Sequence, residues 1–328
     1  AQPEELMEEI LGLFGICGIK DFSEISTGHI NKTYMADTEN GKFIVQSVND
    51  SVFSNPENLM KNIQTIENLF ENSDEVRVPH FLKAGEENHV FYKGAVWRVY
   101  PYISEEFSGT SKNYRIGFAF GRFLKIINSK KIRLEKTIDN YHDFDFYFSR
   151  LNSAMANAPL KKIDGSIISR LKNMKSTVSN VFTVDFPKRN IHGDAKAENV
   201  IVSDVCTVID LDTVMKGYSA TDYGDMVRSV CGEKPDISVL RDVTRGFAKG
   251  LGGMLTGDEV KSLYYGVLWS VSELAVRYFT DYLTNERYFG KTPAKCLKRA
   301  NELLLQLNFF INSGDEIESI IYNAMRNS

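Results

Sequence analysis

The strongest constraint on the fold is that extended patterns are concentrated in the first hundred residues. Two β-type runs, residues 26–38 and 42–48, flank Glu39-Asn40-Gly41. Asn-Gly between such runs predicts a hairpin with a type I′ turn, in which both central residues have positive φ. In the second run, alternation places Phe43 and Val45 on one face. The chain is therefore expected to begin with a small antiparallel sheet.

Helical patterns and further extended runs accompany this sheet. Residues 4–15 carry apolar side chains at helical spacing, and Asn55-Pro56 is typical of a helix start, with an Asn cap and Pro at the first helical position. The apolar stripe of that second helix consists of Leu59, Ile63, Ile66 and Phe70. Three more extended runs are predicted over residues 78–84, 89–92 and 95–103.

Beyond residue 104 the patterns become helical, with helices predicted over 115–128, 141–157 and 166–181. Thr256 and Glu259 form a capping-box pattern that opens a long helix. The exception lies within residues 190–212, where the short runs 200–202 and 207–209 predict a hairpin. We expect an α+β protein with an N-terminal lobe over residues 1–100 and a mainly helical C-terminal lobe over 101–328.

Charge and composition argue against several classes of function. The 39 basic and 43 acidic residues give a net charge of −4, without a block of like charge that would suit nucleic acid. No apolar run reaches the roughly 20 residues that a bilayer requires. The chain does not begin with the basic segment of a signal peptide. The four cysteines lack CxxC or zinc-like spacing. A soluble, cytoplasmic protein with reduced thiols is the expectation.

The segment that indicates chemistry is Ile191-His192-Gly193-Asp194-Ala195-Lys196-Ala197-Glu198-Asn199-Val200, followed by Asp210. Phosphoryl transfer needs a positioned acceptor and neutralised phosphate charge. Asp194 is suited to accept the proton of an acceptor hydroxyl. Asn199 and Asp210 offer the amide and carboxylate oxygens that suit Mg²⁺. A hairpin brings residues about ten apart into register, so the three oxygens are predicted to converge.

The pattern His-Gly-Asp-x-x-x-x-Asn followed by Ile-Asp resembles the aminoglycoside phosphotransferase and choline kinase group. The resemblance implies a bilobal protein-kinase-like fold, ATP as co-substrate, Asp194 as catalytic base and Mg²⁺ on Asn199 and Asp210. It implies structural roles for His192 and Gly193. It also places the adenine against the segment that contains Arg98, Tyr100, Tyr102 and Ile103.

Several separate segments are more similar to the N-acetylhexosamine 1-kinases. They are residues 28–34, 43–46 with Asn49, Val52 and Phe53, 210–215, 222–225 with Arg228, and 277–283. This resemblance implies phosphorylation of the anomeric hydroxyl of N-acetylglucosamine or N-acetylgalactosamine. It implies a sugar site lined by His29, Asp194, Thr213 and Arg277.

One departure concerns the phosphate contacts of the nucleotide. Gln46 stands where a strand lysine contacts the phosphates in the wider fold. An amide donates a hydrogen bond but supplies no positive charge. A kinase-like pairing role for Glu67 is therefore in doubt, and we expect Lys196 to bring the missing charge to the γ-phosphate. The N-terminal loop carries only Gly28 in place of a GxGxxG pattern.

Alternatives remain open at several positions. Asp212 is either close to the metal or a cap at a strand end. Arg277 has Glu273 and Asp281 four residues away on either side, so a solvated ladder of charges is the plain alternative. Another acceptor is possible, such as choline, an aminoglycoside, homoserine or a different sugar, and so is a nucleotide-binding scaffold without turnover. The oligomeric state is left open.

Overall fold

The computed structural model describes residues 3–26, 30–107, 109, 111–285 and 288–328. The chain divides into two compact units. The first comprises Ala1–Phe107, Lys130–Asp139 and Ile201–Thr213, and the second comprises Ser108–Ser129, Asn140–Val200 and Val214–Ser328. The first unit thus includes two segments from later in the chain.

The described residues form an α+β structure, as predicted. The helices are α1 (Pro3–Leu13), α2 (Pro56–Leu69), α3 (Lys112–Ile127), α4 (Phe144–Asn157), α5 (Gly165–Val181), α6 (Ser219–Cys231), α7 (Ile237–Leu251), α8 (Gly257–Leu283), α9 (Pro293–Asn312) and α10 (Gly314–Arg326). The strands are β1 (Ile19–Ile25), β2 (Lys32–Thr38), β3 (Gly41–Ser47), β4 (Val76–Arg77), β5 (Val90–Tyr92), β6 (Ala95–Pro101), β7 (Arg189–Ile191), β8 (Val200–Ile201), β9 (Cys206–Val208) and β10 (Met215–Gly217). Among the described residues, no helix has both the length and the apolar character that crossing a membrane requires.

A five-stranded antiparallel sheet in the order β1-β2-β3-β6-β5 is the main sheet of the first unit. Phe43 and Val45 of β3 are buried together with Trp97 and Val99 of β6, against the apolar side of α1. Residues two apart on a strand share a face, so each strand contributes alternate side chains to this core. The predicted face of β3 and the opening helix are confirmed.

The β2–β3 hairpin is present, but its predicted type I′ turn is wrong. Thr38 pairs with Gly41, so Glu39 and Asn40 are the central residues. Of these three turn residues only Gly41 has a positive φ, at +114°. The Thr38 hydroxyl donates to the Gly41 carbonyl at 2.8 Å and accepts from the Asn40 N–H at 3.1 Å. These side-chain bonds hold the turn without left-handed central residues.

The sequence prediction also missed β1 and misassigned residues 78–84. The strand β1 has few buried positions, so its sequence lacks a clear apolar alternation. Residues 78–84 contain no named strand. The strand β4 ends just before them, at Arg77. Pro79 has no N–H to donate, and the Phe81 N–H donates to the Glu67 carboxylate at 2.8 Å. These backbone groups therefore do not form the predicted strand.

The helix α2 follows its prediction closely. The Asn55 side chain accepts from the Asn58 N–H at 3.0 Å, and Pro56 occupies the first turn. Leu59, Ile63 and Ile66 are fully buried, as the apolar stripe requires. The helix contacts the 3-10 turn Leu211–Thr213 of the same unit, and so borders the segment that follows β9.

The predicted hairpin within residues 190–212 is represented by β8 and β9. In the first unit β9 lies between β4 and β8, and its pairing with β4 is parallel. Val208, the last residue of β9, is fully buried. This anchored strand fixes the start of the segment that carries Asp210 and Asp212.

In the second unit, α4, α5, α6 and α9 all pack against the long helix α8. The predicted capping box is confirmed, since Thr256 and Glu259 each bond the other's backbone. The helix predicted from residue 141 begins instead at Phe144, because the Asp143 side chain caps it by accepting from the Phe146 N–H at 3.0 Å. Residues 141 and 142 therefore lie before α4, outside the helix.

Glycines allow α3 and α7 to cross at backbone distance. A Cβ added to Gly117 would lie 2.0 Å from the Val243 carbonyl oxygen, and one added to Gly246 would lie 2.0 Å from that of Tyr114. A methyl group at either position would overlap the facing helix. The crossing brings α3 close enough for Phe120 and Phe123 to reach the segment after β7.

Candidate active site

The segment 192–199 begins where β7 ends and closes with the 3-10 turn Ala197–Asn199. The strand β7 pairs with β10, Ile191 facing Met215. Gly193 has a φ of +87°, a conformation that glycine adopts without steric cost. The chain can therefore leave the strand in a tight turn directly before Asp194.

His192 and Asp222 both hold this turn by hydrogen bonds to its backbone. The buried His192 ring lies edge-on to Phe120 and Phe123, at centroid distances of 5.6 and 5.4 Å. Its Nδ1 accepts the Asp194 N–H at 3.1 Å. The backbone N–H groups of His192 and Gly193 donate to the Asp222 carboxylate at 2.7 and 3.0 Å. Burial nonetheless raises the pKa of Asp222 to about 7.

Asp194 lies against two of the residues predicted to act with it. The Asn199 amide nitrogen donates to the Asp194 backbone carbonyl at 2.8 Å and to its carboxylate at 3.2 Å. The Lys196 ammonium is 3.5 Å from the same carboxylate oxygen. Burial acts to raise the pKa of Asp194, but positive charges, led by that of Lys196, outweigh it and lower the pKa. The carboxylate is therefore ionised at neutral pH.

The Arg277 guanidinium lies among aromatic rings of the second unit. It is 4.6 Å from the ring centroid of Tyr288, 4.8 Å from Tyr147 and 5.2 Å from Phe289. The alternative of a solvated ladder does not hold. Glu273 accepts from the Trp269 indole N–H at 2.6 Å, and Asp281 accepts from the Phe289 N–H at 2.8 Å. Within the described part of the chain, Arg277 has cation–π contacts but no carboxylate within ion-pair distance.

Tyr141 lies within electrostatic range of both Asp194 and Arg277. Burial raises its pKa well above the usual range, the charge of Asp194 adds to the rise, and that of Arg277 opposes it. Burial also acts against the charge of Arg277, but the phenol oxygens, led by that of Tyr147, outweigh it and raise the pKa. Arg277, with phenols around it, and Asp194 thus have Tyr141 as a common neighbour.

In the first unit, Arg98 and Asp212 form a buried bidentate ion pair. The two guanidinium nitrogens donate to the two carboxylate oxygens at 2.6 and 2.8 Å. Each residue is only 2% exposed. The Asn31 amide also donates to Asp212, at 2.7 Å. Asp212 therefore neutralises the buried Arg98. The sequence offered two roles for Asp212, a place close to the metal or a cap at a strand end, and neither included this contact.

Gln46 bonds at both ends of its amide. Its oxygen accepts from the Arg98 Nε at 2.9 Å, and its nitrogen donates to the Thr33 hydroxyl at 3.2 Å. Glu67 faces elsewhere, with one oxygen on the Phe81 N–H and the other 3.2 Å from His80 Nδ1. Glu67 therefore does not pair with Gln46, the residue that stands in place of the strand lysine. The positive charge beside Gln46 is that of Arg98.

The remaining predicted residues of the first unit differ in environment. Asp210 has a φ of +59°, an uncommon conformation for a residue with a side chain. Thr213 is buried in the turn that follows. Tyr100 is buried and Tyr102 is 43% exposed. Burial raises the pKa of Tyr100. Ile103 is half-buried.

The structure therefore brings the predicted residues together in two groups. Asp194, Lys196 and Asn199 meet in the second unit, and Gln46 and Arg98 meet in the first. His29, predicted to contact a sugar, lies outside the described residues. Sequence reasoning missed Tyr141 and His142 because the apolar pattern extends the helix over them. Asn31 and Asp222 occur in segments that carry the resemblance, which is the signal that could have identified them.

Solved structures of small-molecule kinases share this fold. A microcompartment-associated aminopropanol kinase matches with a TM-score of 0.70 and 15% identity, over 94% of this chain and 98% of the other. Spectinomycin phosphotransferase, solved with ADP and spectinomycin, matches with 0.62 and 16%, over 98% of each chain. Choline kinase from Cryptosporidium parvum Iowa II matches with 0.62 and 13%, over 97% and 99%. The fold is that of kinase-like phosphotransferases.

The family model described as "Phosphotransferase enzyme family" matches residues 21–256. That range includes the main sheet of the first unit, apart from the first two residues of β1, and the segment around Asp194. The chain belongs to this family, and it is an ATP-using small-molecule phosphotransferase of the aminoglycoside phosphotransferase and choline kinase type.

Proposed function

We propose that this protein transfers the γ-phosphoryl group of ATP to the anomeric hydroxyl of N-acetylglucosamine or N-acetylgalactosamine. The observation that carries the transfer itself is the Asp194, Lys196 and Asn199 arrangement, in a chain of the phosphotransferase family. The sugar acceptor rests on the five segments similar to the N-acetylhexosamine 1-kinases. The surroundings of Arg277 add support to it.

Asp194 is the base in this proposal. Its lowered pKa makes it a weak proton acceptor, which suits phosphoryl transfer because the acceptor hydroxyl needs orientation more than early deprotonation. The bond from Asn199 fixes the direction of the carboxylate. Lys196, half-buried beside it, is placed to offset the charge that develops on the transferred group.

Asn199 and Asp210 are the proposed Mg²⁺ ligands. The amide nitrogen of Asn199 is occupied by Asp194, so the amide oxygen is the atom suited to a cation. Carboxylate and amide oxygens fit the preference of Mg²⁺ for oxygen donors. When bound, the ion would neutralise charge on the phosphates.

The nucleotide contacts are proposed for the segment with Arg98, Tyr100, Tyr102 and Ile103, together with Gln46. Arg98 acts there through its side-chain bonds to Gln46 and Asp212. Those bonds join β6 to β3 and to the turn after β9, all within the first unit. The half-exposed Tyr102 and Ile103 are the surface for the adenine.

Arg277 favours a neutral acceptor over a cationic one. The half-buried Arg277 guanidinium repels an ammonium group, whereas its N–H donors suit carbonyl and hydroxyl oxygens. The rings of Tyr147, Tyr288 and Phe289 pack around the guanidinium and hold it in place, without a carboxylate among the described residues that would neutralise it. We assign Arg277, with His29 and Thr213, to the acceptor side for these reasons and by the resemblance.

The decisive experiment is product identification across an acceptor panel. The protein is incubated with ATP and Mg²⁺ and, separately, N-acetylglucosamine, N-acetylgalactosamine, glucose, choline and aminopropanol. We expect ADP and a sugar 1-phosphate, identified by phosphorus NMR and by loss of the reducing end, with the two N-acetylhexosamines. Phosphorylation of the amino alcohols alone would overturn the acceptor assignment. The absence of transfer to any acceptor, with ATP bound, would favour the scaffold alternative.

A further inference from the structure

His142 forms a contact that the mechanism above does not use. It precedes α4 with a φ of +57°, a conformation that is uncommon for residues other than glycine. Its side chain is 14% exposed. The ring Nε2 bonds the Gly193 carbonyl oxygen, and Nδ1 lies 3.1 Å from a Glu273 carboxylate oxygen. Both ring nitrogens thus face acceptors, which is the pattern of a protonated imidazole.

The acceptors around this ring are themselves fixed. The second oxygen of Glu273 accepts from the Trp269 indole at 2.6 Å, so the carboxylate cannot rotate away without losing a buried bond. Asp225 lies 3.8 Å from Nε2 and also accepts from the Ser270 hydroxyl. Burial opposes protonation, but Glu273 and then Asp225 outweigh it and raise the pKa of His142 to about 9.

The position of the Gly193 carbonyl gives this contact its importance. That oxygen belongs to the peptide bond that leads to Asp194, whose N–H donates to His192 Nδ1. His142 therefore holds one end of this peptide unit and His192 holds the other. A planar peptide held at both ends has a fixed orientation, and it fixes the position of the Asp194 Cα from which the side chain starts.

The same ring also connects the base to the residues assigned to the acceptor. Tyr141 is the preceding residue. Arg277 lies one helical turn beyond Glu273 on α8. One side chain thus links the peptide before Asp194 to α8, the helix that carries Arg277.

We propose that His142 is a positioning residue that sets the placement of Asp194 relative to the acceptor hydroxyl. This inference rests on the proposed function, since it takes Asp194 as the base. It predicts a specific kinetic effect: loss of His142 slows the chemical step and leaves nucleotide binding intact. A misplacement of about 1 Å at a reacting group is enough to reduce a rate about 100-fold.

The test compares His142→Leu and His142→Gln with the wild type and with a matched control, His80→Gln. His80 is an exposed histidine that also faces a glutamate, Glu67. Neither residue is assigned to catalysis or to substrate binding, so the loss of His80 should change none of these constants. We expect His142→Leu to lower kcat about 10- to 100-fold, with the KM for ATP within about twofold of wild type. His142→Gln keeps an N–H donor for Gly193 and should recover most of kcat.

A third variant, Glu273→Gln, keeps an oxygen for Trp269 but removes the negative charge beside His142, and it should lower kcat in the same direction. Thermal denaturation of every variant with ATP shows the folded fraction. The inference is overturned if folded His142→Leu has wild-type kcat, or if the KM for ATP rises in step with the loss. Failure of the proposed function is a separate result: the wild type itself then transfers nothing to N-acetylhexosamines.

Discussion

At the scale of single residues, the buried Arg98–Asp212 pair is a contact whose disruption would cost much of the free energy of unfolding. Two charges removed from water are tolerated only while each keeps its partner. Gln46 and Asn31 complete the hydrogen bonding on the two sides of the pair. The pair links β6 to the turn that follows β9, so it fixes the direction from which Asp210 is presented within the first unit.

Arg98→Met is expected to reduce the free energy of unfolding by about 3 to 5 kcal/mol, because Asp212 then remains buried without its counter-charge. The double variant Arg98→Met with Asp212→Asn should recover much of that loss, since no unpaired charge is left. Urea denaturation of the two single variants and the double variant measures the coupling. Additive losses in this cycle would show that the two residues do not act as a pair.

The raised pKa of His142 predicts that the stability of the protein depends on pH. Its pKa rises from 6.5 to about 9 on folding, so the folded state binds the proton more tightly. This contribution is complete below about pH 6.5 and is lost as the pH rises through about 9. The charged groups near the ring are Glu273 from α8, Asp225 and Asp222 from α6, and Asp194.

The stability difference between the wild type and His142→Gln should therefore be largest near pH 6 and shrink towards about pH 9.5. The charge of His142 acts to lower the pKa of Asp222, which burial raises to about 7, so the difference between the two curves includes this coupling as well as the titration of His142 itself. Urea titrations across this range provide the measurement. A difference that stays constant with pH would mean that His142 is not protonated in the folded protein.

At the scale of elements, the α3–α7 crossing depends on the absence of side chains. Gly246→Ala would bring a methyl group to 2.0 Å from the Tyr114 carbonyl oxygen. We expect it to lower the free energy of unfolding by roughly 1 to 3 kcal/mol, because the helices must separate. Gly165→Ala at the start of α5 is the matched control, since a Cβ there meets nothing within 4 Å. Equal losses of unfolding free energy for the two variants would show that the close approach of α3 and α7 does not require a glycine at position 246.

Elements with strong local signals were predictable and those fixed by distant contacts were not. The Asn55 cap and the apolar stripe specify α2 locally, as the Thr256–Glu259 capping box does for α8. The edge strand β1 buries little and is defined by its pairing with β2. The segment after β4 depends on Glu67 of α2, which lies 14 residues before Phe81 and accepts the Phe81 N–H.

The same distinction holds for the candidate site. Asp194, Asn199 and Asp210 are carried by one motif with fixed spacing, so the sequence alone indicates them. The clamp formed by His142, Glu273 and Trp269 joins two positions that are 131 residues apart. No local pattern marks such a contact. Physical reasoning from the sequence assigned His142 to a helix because the aromatic residues after it continue a helical period.

At the scale of the whole molecule, the two units carry different parts of the proposed chemistry. The second unit holds the base, its lysine and the acceptor-side cation, and the first holds the pair beside Gln46 and the segment assigned to adenine. In the proposed reaction Asp194 accepts the proton, and the other groups serve charge balance and orientation. Positioning and electrostatics supply most of the rate of phosphoryl transfer, so these groups are expected to matter as much as the base.

The central claim is that Asp194 is the base for phosphoryl transfer, and its most direct test is the turnover of Asp194→Asn. The wild type and the variant are assayed for sugar 1-phosphate formation with ATP, Mg²⁺ and N-acetylglucosamine. Asp204→Asn, an exposed position in the same part of the chain, is the control. We predict that kcat of Asp194→Asn falls about 10³-fold while ATP affinity and thermal stability stay close to wild type. Turnover within about tenfold of wild type would contradict the account.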